Sequence, residues 1–327
     1  MTTHDGKPLR VGVGFTPFET RVDVITELAM RAESLGFDRV GVAEAWTHDA
    51  MIVLAELAAR TSQIGLGTSV ISARGRTPAT IALGAAGLQR YSEGRFSLGL
   101  GASSPPLTEG LHGIAWDRPV QQLRETLTAV RALLAGDRLP QPARDARPMR
   151  LGAVPEVPIP IVLAALSDAS IRLAGELADE WAPFLWARSR LQEGQALLEE
   201  GESPTPTHTS VGVPVALAPD EQGARRLAAW WLFTYATRMG PIYPRLLRRF
   251  GSDAAVDALV ESAGTELPAA AEELAHEVTL LGTYDQAGEA IAAWSAADSV
   301  HLVLPPGSPV EELREIIDVA AAQPVPA

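Results

Sequence analysis

The heptapeptide EAWTHDA at 44–50 places Glu44, Trp46, His48 and Asp49 directly after an apolar run. A carboxylate, an indole and an imidazole at one strand exit can supply proton transfer and a stacking wall. Asp49 equally suits the cap of a following helix, and Trp46 equally suits a core. A second group, Thr68, Ser69 and Val70, ends the run LGTSV and is followed by Arg74 and Arg76. Side chains this small let a flat ligand approach the backbone, and either guanidinium can meet a phosphate or carboxylate or simply remain a solvated loop charge. A third group, Gly101, Ala102, Ser103 and Ser104, ends LGLG and precedes Glu109, His112 and Trp116. Glycine and serine at such a turn expose N–H groups and hydroxyls to an anion or a ring edge. The six histidines, His4, His48, His112, His208, His276 and His301, have no metal-ligand spacing, so no metal is expected. Cysteine is absent, which removes thiolate chemistry. Neither a phosphate-loop GK[ST] nor a dinucleotide GxGxxG occurs.

These groups need strands to carry them. Apolar β-branched runs alternate with segments of helical period: RVGVGF before a helix stopped by Gly36, FDRVGVAE before DAMIVLAELAARTS, IGLGTSV before TPATIALGAAGLQRYS, and RFSLGLG before the helix with Leu123, Leu127 and Leu134. Parallel neighbours require crossover helices, so the alternation predicts a parallel sheet. Residues 137–158, rich in proline and arginine and without period, read as an insertion loop with room for a short ribbon. The alternation resumes with PIPIVLAALS, DEWAPF and HTSVGVPVALA, turns helical but irregular over about 232–280, and closes with DSVHLVLPP and an amphipathic helix. Eight strands in one chain of 327 residues, without a linker, predict a single (β/α)8 barrel domain with functional groups at the C-terminal strand ends. A doubly wound open sheet is the alternative. The segment WWLFTYATRMGPIY, 230–243, carries Tyr235 and Tyr243 as candidate substrate contacts, or a packing stripe through Trp230, Phe233 and Thr234. Trp181, with Trp46, Glu109, Trp116 and Tyr235, completes the candidate substrate wall.

Forty acidic against twenty-seven basic side chains give a net charge of −13, which opposes a nucleic-acid partner. No run of eighteen apolar residues and no apolar N-terminal segment are present, predicting a soluble cytoplasmic protein with a small-molecule substrate and no membrane contact.

Taken together, AMRAESLGFDRVGVAE, the long stretch from LAARTSQIGLGTSV to GLHGIAWDRPVQQLRE, and LAALSDASIRLAGELADEWAP strongly resemble the bacterial-luciferase-like flavin and deazaflavin oxidoreductases, over residues 10 to about 190 and again near LLGTYDQAGEAIAAW. The resemblance implies a (β/α)8 barrel, a homodimer, and FMN or coenzyme F420 at the C-terminal face. GASSPPLTEGLHGIAWDRP is similar to the F420 branch, and there implies a non-proline cis bond at Ser69–Val70, a bulge behind the ring, and an edge lined by Gly101 to Ser104. Glu44, His48 and His112 match the loops that would hold the proton donor. The loop after the fifth strand departs from the family: Leu166, Ser167, Asp168 and Ala169 stand where relatives carry a glycine-rich phosphate cradle, and DEW replaces DGW. Ser167 and Asp168 are therefore the candidates for the cofactor phosphate, with Asp168 adding an unhelpful charge. The expected activity is F420-dependent hydride transfer to or from a C=C or C=N bond. An FMN-dependent monooxygenase, and a member that has lost redox chemistry, are the alternatives.

Overall fold

In the computed structural model, residues 8–139, 147–201 and 203–322 are described. The strands are β1 (Arg10–Phe15), β2 (Arg39–Ala43), β3 (Gly65–Ser72), β4 (Phe96–Gly101), β5 (Ile161–Ala164), β6 (Glu180–Trp181), β7 (His208–Ala218), β8 (Leu280–Thr283) and β9 (Ser299–Val303). All pairings are parallel. β1 to β6 pair in chain order, β6 pairs with β7, β7 with β9, and β9 with β1, which closes a barrel of eight strands. β8 stands outside the ring on the second half of β7, from Val215 to Ala218. The eight barrel strands are those the alternation marks. β8 is an addition that the run LLGT, too short to separate from its helical surroundings, does not reveal.

Helices α1 (Val22–Ser34), α2 (Ala50–Arg60), α3 (Pro78–Tyr91), α4 (Pro119–Leu134), α5 (Asp168–Leu177) and α6 (Leu191–Glu199) form the crossovers. Asp49 caps α2 by accepting from the Met51 and Ile52 amides, and Thr77 with Pro78 starts α3. Outward strand positions such as Val40, Val42, Leu98 and Leu100 are fully buried against these helices. The segment read as irregular resolves into the end of α7 (Glu221–Arg238), then α8 (Ile242–Phe250), α9 (Asp253–Glu261) and α10 (Glu272–Val278), packed as a second apolar cluster over one side of the barrel mouth. α11 (Ala287–Ala292) and α12 (Val310–Ala321) complete the chain. Of the insertion at 137–158, residues 140–146 lie outside the described residues, and the rest carries neither helix nor strand. No helix among the described residues is long and apolar enough to cross a membrane.

Barrels of this type usually fill their interior with bulky branched side chains. Here the inward positions alternate along the strands as Gly14, Gly41, Gly67, Ser97, Ser210 and Gly212, all facing one cavity. Deeper in the barrel the filling is polar: the Arg39 guanidinium donates two 2.8 Å bonds to Glu180 across the interior, beside His301.

Candidate active site

The cavity opens at the C-terminal strand ends and has a volume of about 350 Å³, within the range of small-ligand sites. Its floor is built by an irregularity in β3. Val42 pairs with Thr68 but Ala43 pairs with Val70, so Ser69 is an extra residue, and the register with β4 slips over the same stretch. The side chain of Thr68 repairs the ladder: its hydroxyl donates to the Gly99 carbonyl at 3.0 Å and accepts from the Gly99 amide at 2.7 Å. The bulge presses its carbonyls onto β4 at Gly99, where a Cβ would lie 1.8 Å from the Thr68 oxygen. The bulge expected behind a ring is present, but without the expected cis bond: no peptide among the described residues is cis. The inserted residue and the Thr68 hydroxyl accommodate the slip with trans geometry alone.

Thr68, Ser69, Val70, Gly101, Ala102, Ser103 and Ser104 all line this cavity. Ser103 holds a left-handed backbone at φ 72°, a conformation costing about 1–3 kcal/mol that tends to persist at working sites. Ser167 lines the cavity and caps α5 in a reciprocal pair with Ser170. Asp168 does not face the cavity. Its carboxylate accepts from Arg249 of α8 at 3.0 Å, which offsets the charge at the helix start.

The three proton-donor candidates separate. Glu44 lines the cavity, but its carboxylate accepts from both terminal nitrogens of Arg76 and from the Ala50 amide, so it is built as an acceptor. Arg76 also bonds Asp49 at 2.6 Å and is thus an internal clamp, with no free guanidinium to offer a ligand. His48 lies off the cavity, with its Nε2 sealed in protein without a partner, and burial lowers its pKa. His112 packs over Gly75, outside the cavity wall.

Of the expected substrate wall, Trp116 and Tyr235 face the cavity. Glu109 does not, but it accepts the Trp116 amide at 3.0 Å and so sets that residue's position. Trp46 sits on the outer surface, edge-on to Phe18 at 5.2 Å. Trp181 is wholly buried, donates its indole N–H to the Ala165 carbonyl, and packs against Gly194 and Trp186, so it is core rather than wall. The described residues of the 137–158 loop contribute nothing to the cavity, whereas α7 and α8 contribute Tyr235, Met239, Ile242 and Tyr243.

Two lining residues carry no flag in the sequence. Arg39 and His301 reach the cavity from the barrel interior, and burial together with the Arg39 charge pushes the His301 pKa down to about 3, so the imidazole is neutral. The inward parity of His301 on β9 was the available signal. Among the described residues no group of histidines and carboxylates is placed to hold a metal ion.

A floor of bare strand ends, a β3 bulge and a helical lid at the mouth of an eight-stranded barrel coincide with a match of residues 7–301 to the luciferase-like monooxygenase family. The chain belongs to this family. A Mycobacterium tuberculosis relative that carries the name of a coenzyme F420-dependent oxidoreductase is 30% identical over 89% of this chain and 92% of its own. Among solved structures, an F420-dependent secondary alcohol dehydrogenase in complex with an F420–acetone adduct superposes with a TM-score of 0.74 at 18% identity, covering 98% of this chain and 99% of that one. The oxygenating constituent of 3,6-diketocamphane monooxygenase from Pseudomonas putida, in complex with FMN, gives 0.71 at 20% identity, covering 98% and 100%. These two share the luciferase-like barrel with this chain.

Proposed function

We propose that the protein is a coenzyme F420-dependent oxidoreductase that moves a hydride between the deazaflavin and a small or medium organic substrate. The observation that carries this reading is the floor itself, where the exits of β3 and β4 leave backbone and hydroxyls exposed instead of closing the barrel with bulk. The Ser69 bulge would back a planar ring, and Gly101 to Ser104 would border its edge. The start of α5, with Ser167 and Ser170 on the cavity and Arg249 beside Asp168, would receive the phosphate. The name of the mycobacterial relative supports the choice of coenzyme.

When bound, the deazaflavin supplies a ring carbon that gives or takes hydride, chemistry no side chain here offers. The chain's own residues shape the space around it. Leu107, Trp116, Met239 and Ile242 exclude water from the mouth, and the Glu44–Arg76–Asp49 cluster fixes the loop between β2 and α2. An FMN-dependent monooxygenase is the second reading, favoured by the structural neighbour that holds FMN. Titration of the purified protein with each cofactor, followed by fluorescence, separates them: F420 bound tightly and FMN weakly is the expected result. Tight FMN binding with oxygen uptake replaces the first reading by the second, and binding of neither removes both. The same reading makes the protein cytoplasmic, which cell fractionation checks, and a homodimer. Ile52 of α2 and Leu83 of α3, 72% and 60% exposed, support contact through those helices. Light scattering that finds only a 34.7 kDa species excludes the dimer.

A further inference from the structure

The charges that reach the cavity are already neutralised. Arg39 is paired with Glu180 through two bonds, Glu44 is paired with Arg76, and His301 is uncharged. Most of the remaining wall is carbon, from Phe15, Phe184, Leu107, Met239 and Ile242. Away from the start of α5, which the proposed function gives to the cofactor phosphate, a charged group drawn into this space would give up its hydration and find no free counter-charge.

Besides the small hydroxyls of the floor, two phenols stand in the helical part of that wall. Tyr235 on α7 and Tyr243 on α8 meet with ring centroids 4.8 Å apart and planes at 81°. Phe184 holds Tyr235 at 4.9 Å, and Trp231 holds it at 6.0 Å, so the pair is rigidly mounted. Neither phenol oxygen has a hydrogen-bond partner among the described residues. Nor is either among the sealed, partnerless side-chain polar atoms of the described residues, which are His48 Nε2, Arg95 Nε, Thr108 Oγ1 and Thr234 Oγ1. Both residues line the cavity, and neither hydroxyl is held by a protein partner there. Burial raises both pKa values well above the usual tyrosine range, so both remain O–H donors at any working pH. A buried donor left without a partner costs about 1–3 kcal/mol, and two such donors on neighbouring rings can serve one acceptor between them.

We infer that the site takes an uncharged, largely apolar substrate with a single hydrogen-bond acceptor, a carbonyl or imine, gripped by the paired hydroxyls of Tyr235 and Tyr243. This rests on the oxidoreductase reading for what becomes of that bond, but not for its binding. The probes are 2-cyclohexen-1-one and the similarly sized anion 1-cyclohexene-1-carboxylate. They are titrated calorimetrically into the full chain, with and without F420, and into Tyr235→Phe, Tyr243→Phe and the double variant.

The enone should bind at least about tenfold more tightly than the carboxylate. Each single variant should weaken enone binding by about three- to tenfold, the worth of one hydrogen bond, without changing the melting temperature or F420 affinity. Should a variant fold poorly, the infrared carbonyl stretch of the enone bound to wild type gives the same answer, since a gripped carbonyl shifts to lower frequency than in an apolar solvent. Carboxylate binding equal to or tighter than enone, undiminished enone affinity in the double variant, an unshifted carbonyl stretch, or no binding of the enone each overturns the inference. Enone binding with the expected losses, in a protein that ignores F420, removes the cofactor reading and leaves this one standing.

Discussion

The exits of β3 and β4 and the exit of β6 lie on one rim and treat bulk in opposite ways. At β3 and β4 the side chains are small, the bulge at Ser69 brings backbone against Gly99, and the space above is open. At β6 the chain buries Trp181 and Trp186 completely, each indole N–H satisfied by a carbonyl, of Ala165 and of Arg190. That bulk is a mount. Phe250 of α8 packs edge-on to Trp186 at 4.9 Å, and the Arg249 guanidinium lies over the same indole at 5.7 Å. α8 in turn carries Ile242 and Tyr243 to the cavity. One side of the rim thus supplies a bare floor and the other a rigid anchor for the wall. Aromatic residues at a strand exit thus shape a site without lining it.

The open floor is most vulnerable at Gly99. Gly99→Val would drive a side chain into the Thr68 carbonyl and should destabilise the protein by about 3 kcal/mol or more, or leave no folded material, as read by thermal denaturation. Below the floor, Glu180→Gln strands the Arg39 charge in the interior and should cost about 3–5 kcal/mol in urea denaturation, while replacing both partners by apolar residues should recover much of it.

The same interior sets the response to acid. Burial alone would raise the Glu180 pKa, yet the Arg39 guanidinium holds it at about 2 against an ordinary value of 4.5. Its contribution is complete above pH 4.5 and is lost as pH falls toward 2. His301, ordinarily 6.5, is held at about 3, so below pH 6.5 the unfolded chain takes up a proton that the fold refuses. Stability should therefore fall steadily from pH 6.5 toward 3, and His301→Gln should flatten that part of the curve.

A cavity-filling change sharpens the contrast without touching the fold. Ala43→Phe, on the open side, should weaken F420 binding at least about a hundredfold in a fluorescence titration, with a melting temperature close to wild type. The smallest effect belongs to the anchor side. Arg249→Ala breaks an exposed ion pair with Asp168 and should change stability by less than about 1 kcal/mol, measurable by chemical denaturation.

Much of this is legible in the sequence. The period-two runs and the crossover helices mark the barrel strands, and the small residues at 68–70 and 101–104 mark the floor. The aromatic segment after residue 230 offers two readings: of the packing stripe only Thr234 is fully buried, with Trp230 and Phe233 half-buried and the unmarked Trp231 taking the core place, while Tyr235 and Tyr243 line the cavity. His48, His112 and Trp46 sit in the right loops and point elsewhere, because loop position fixes the neighbourhood of a side chain but not its direction. Trp181 misleads for the same reason, since a strand only two residues long gives no parity to read.

What the chain's sequence determined by itself is the order of strands and helices and the bareness of two strand exits, because periodicity and side-chain size are local properties. Only the closed barrel decided that Arg39, Glu180 and His301 meet in its interior, and that two tyrosines from successive helices pack edge to face on the wall of one cavity. Those contacts arise when β9 joins β1 to β7, and separation along a chain carries no information about distance across a closed sheet.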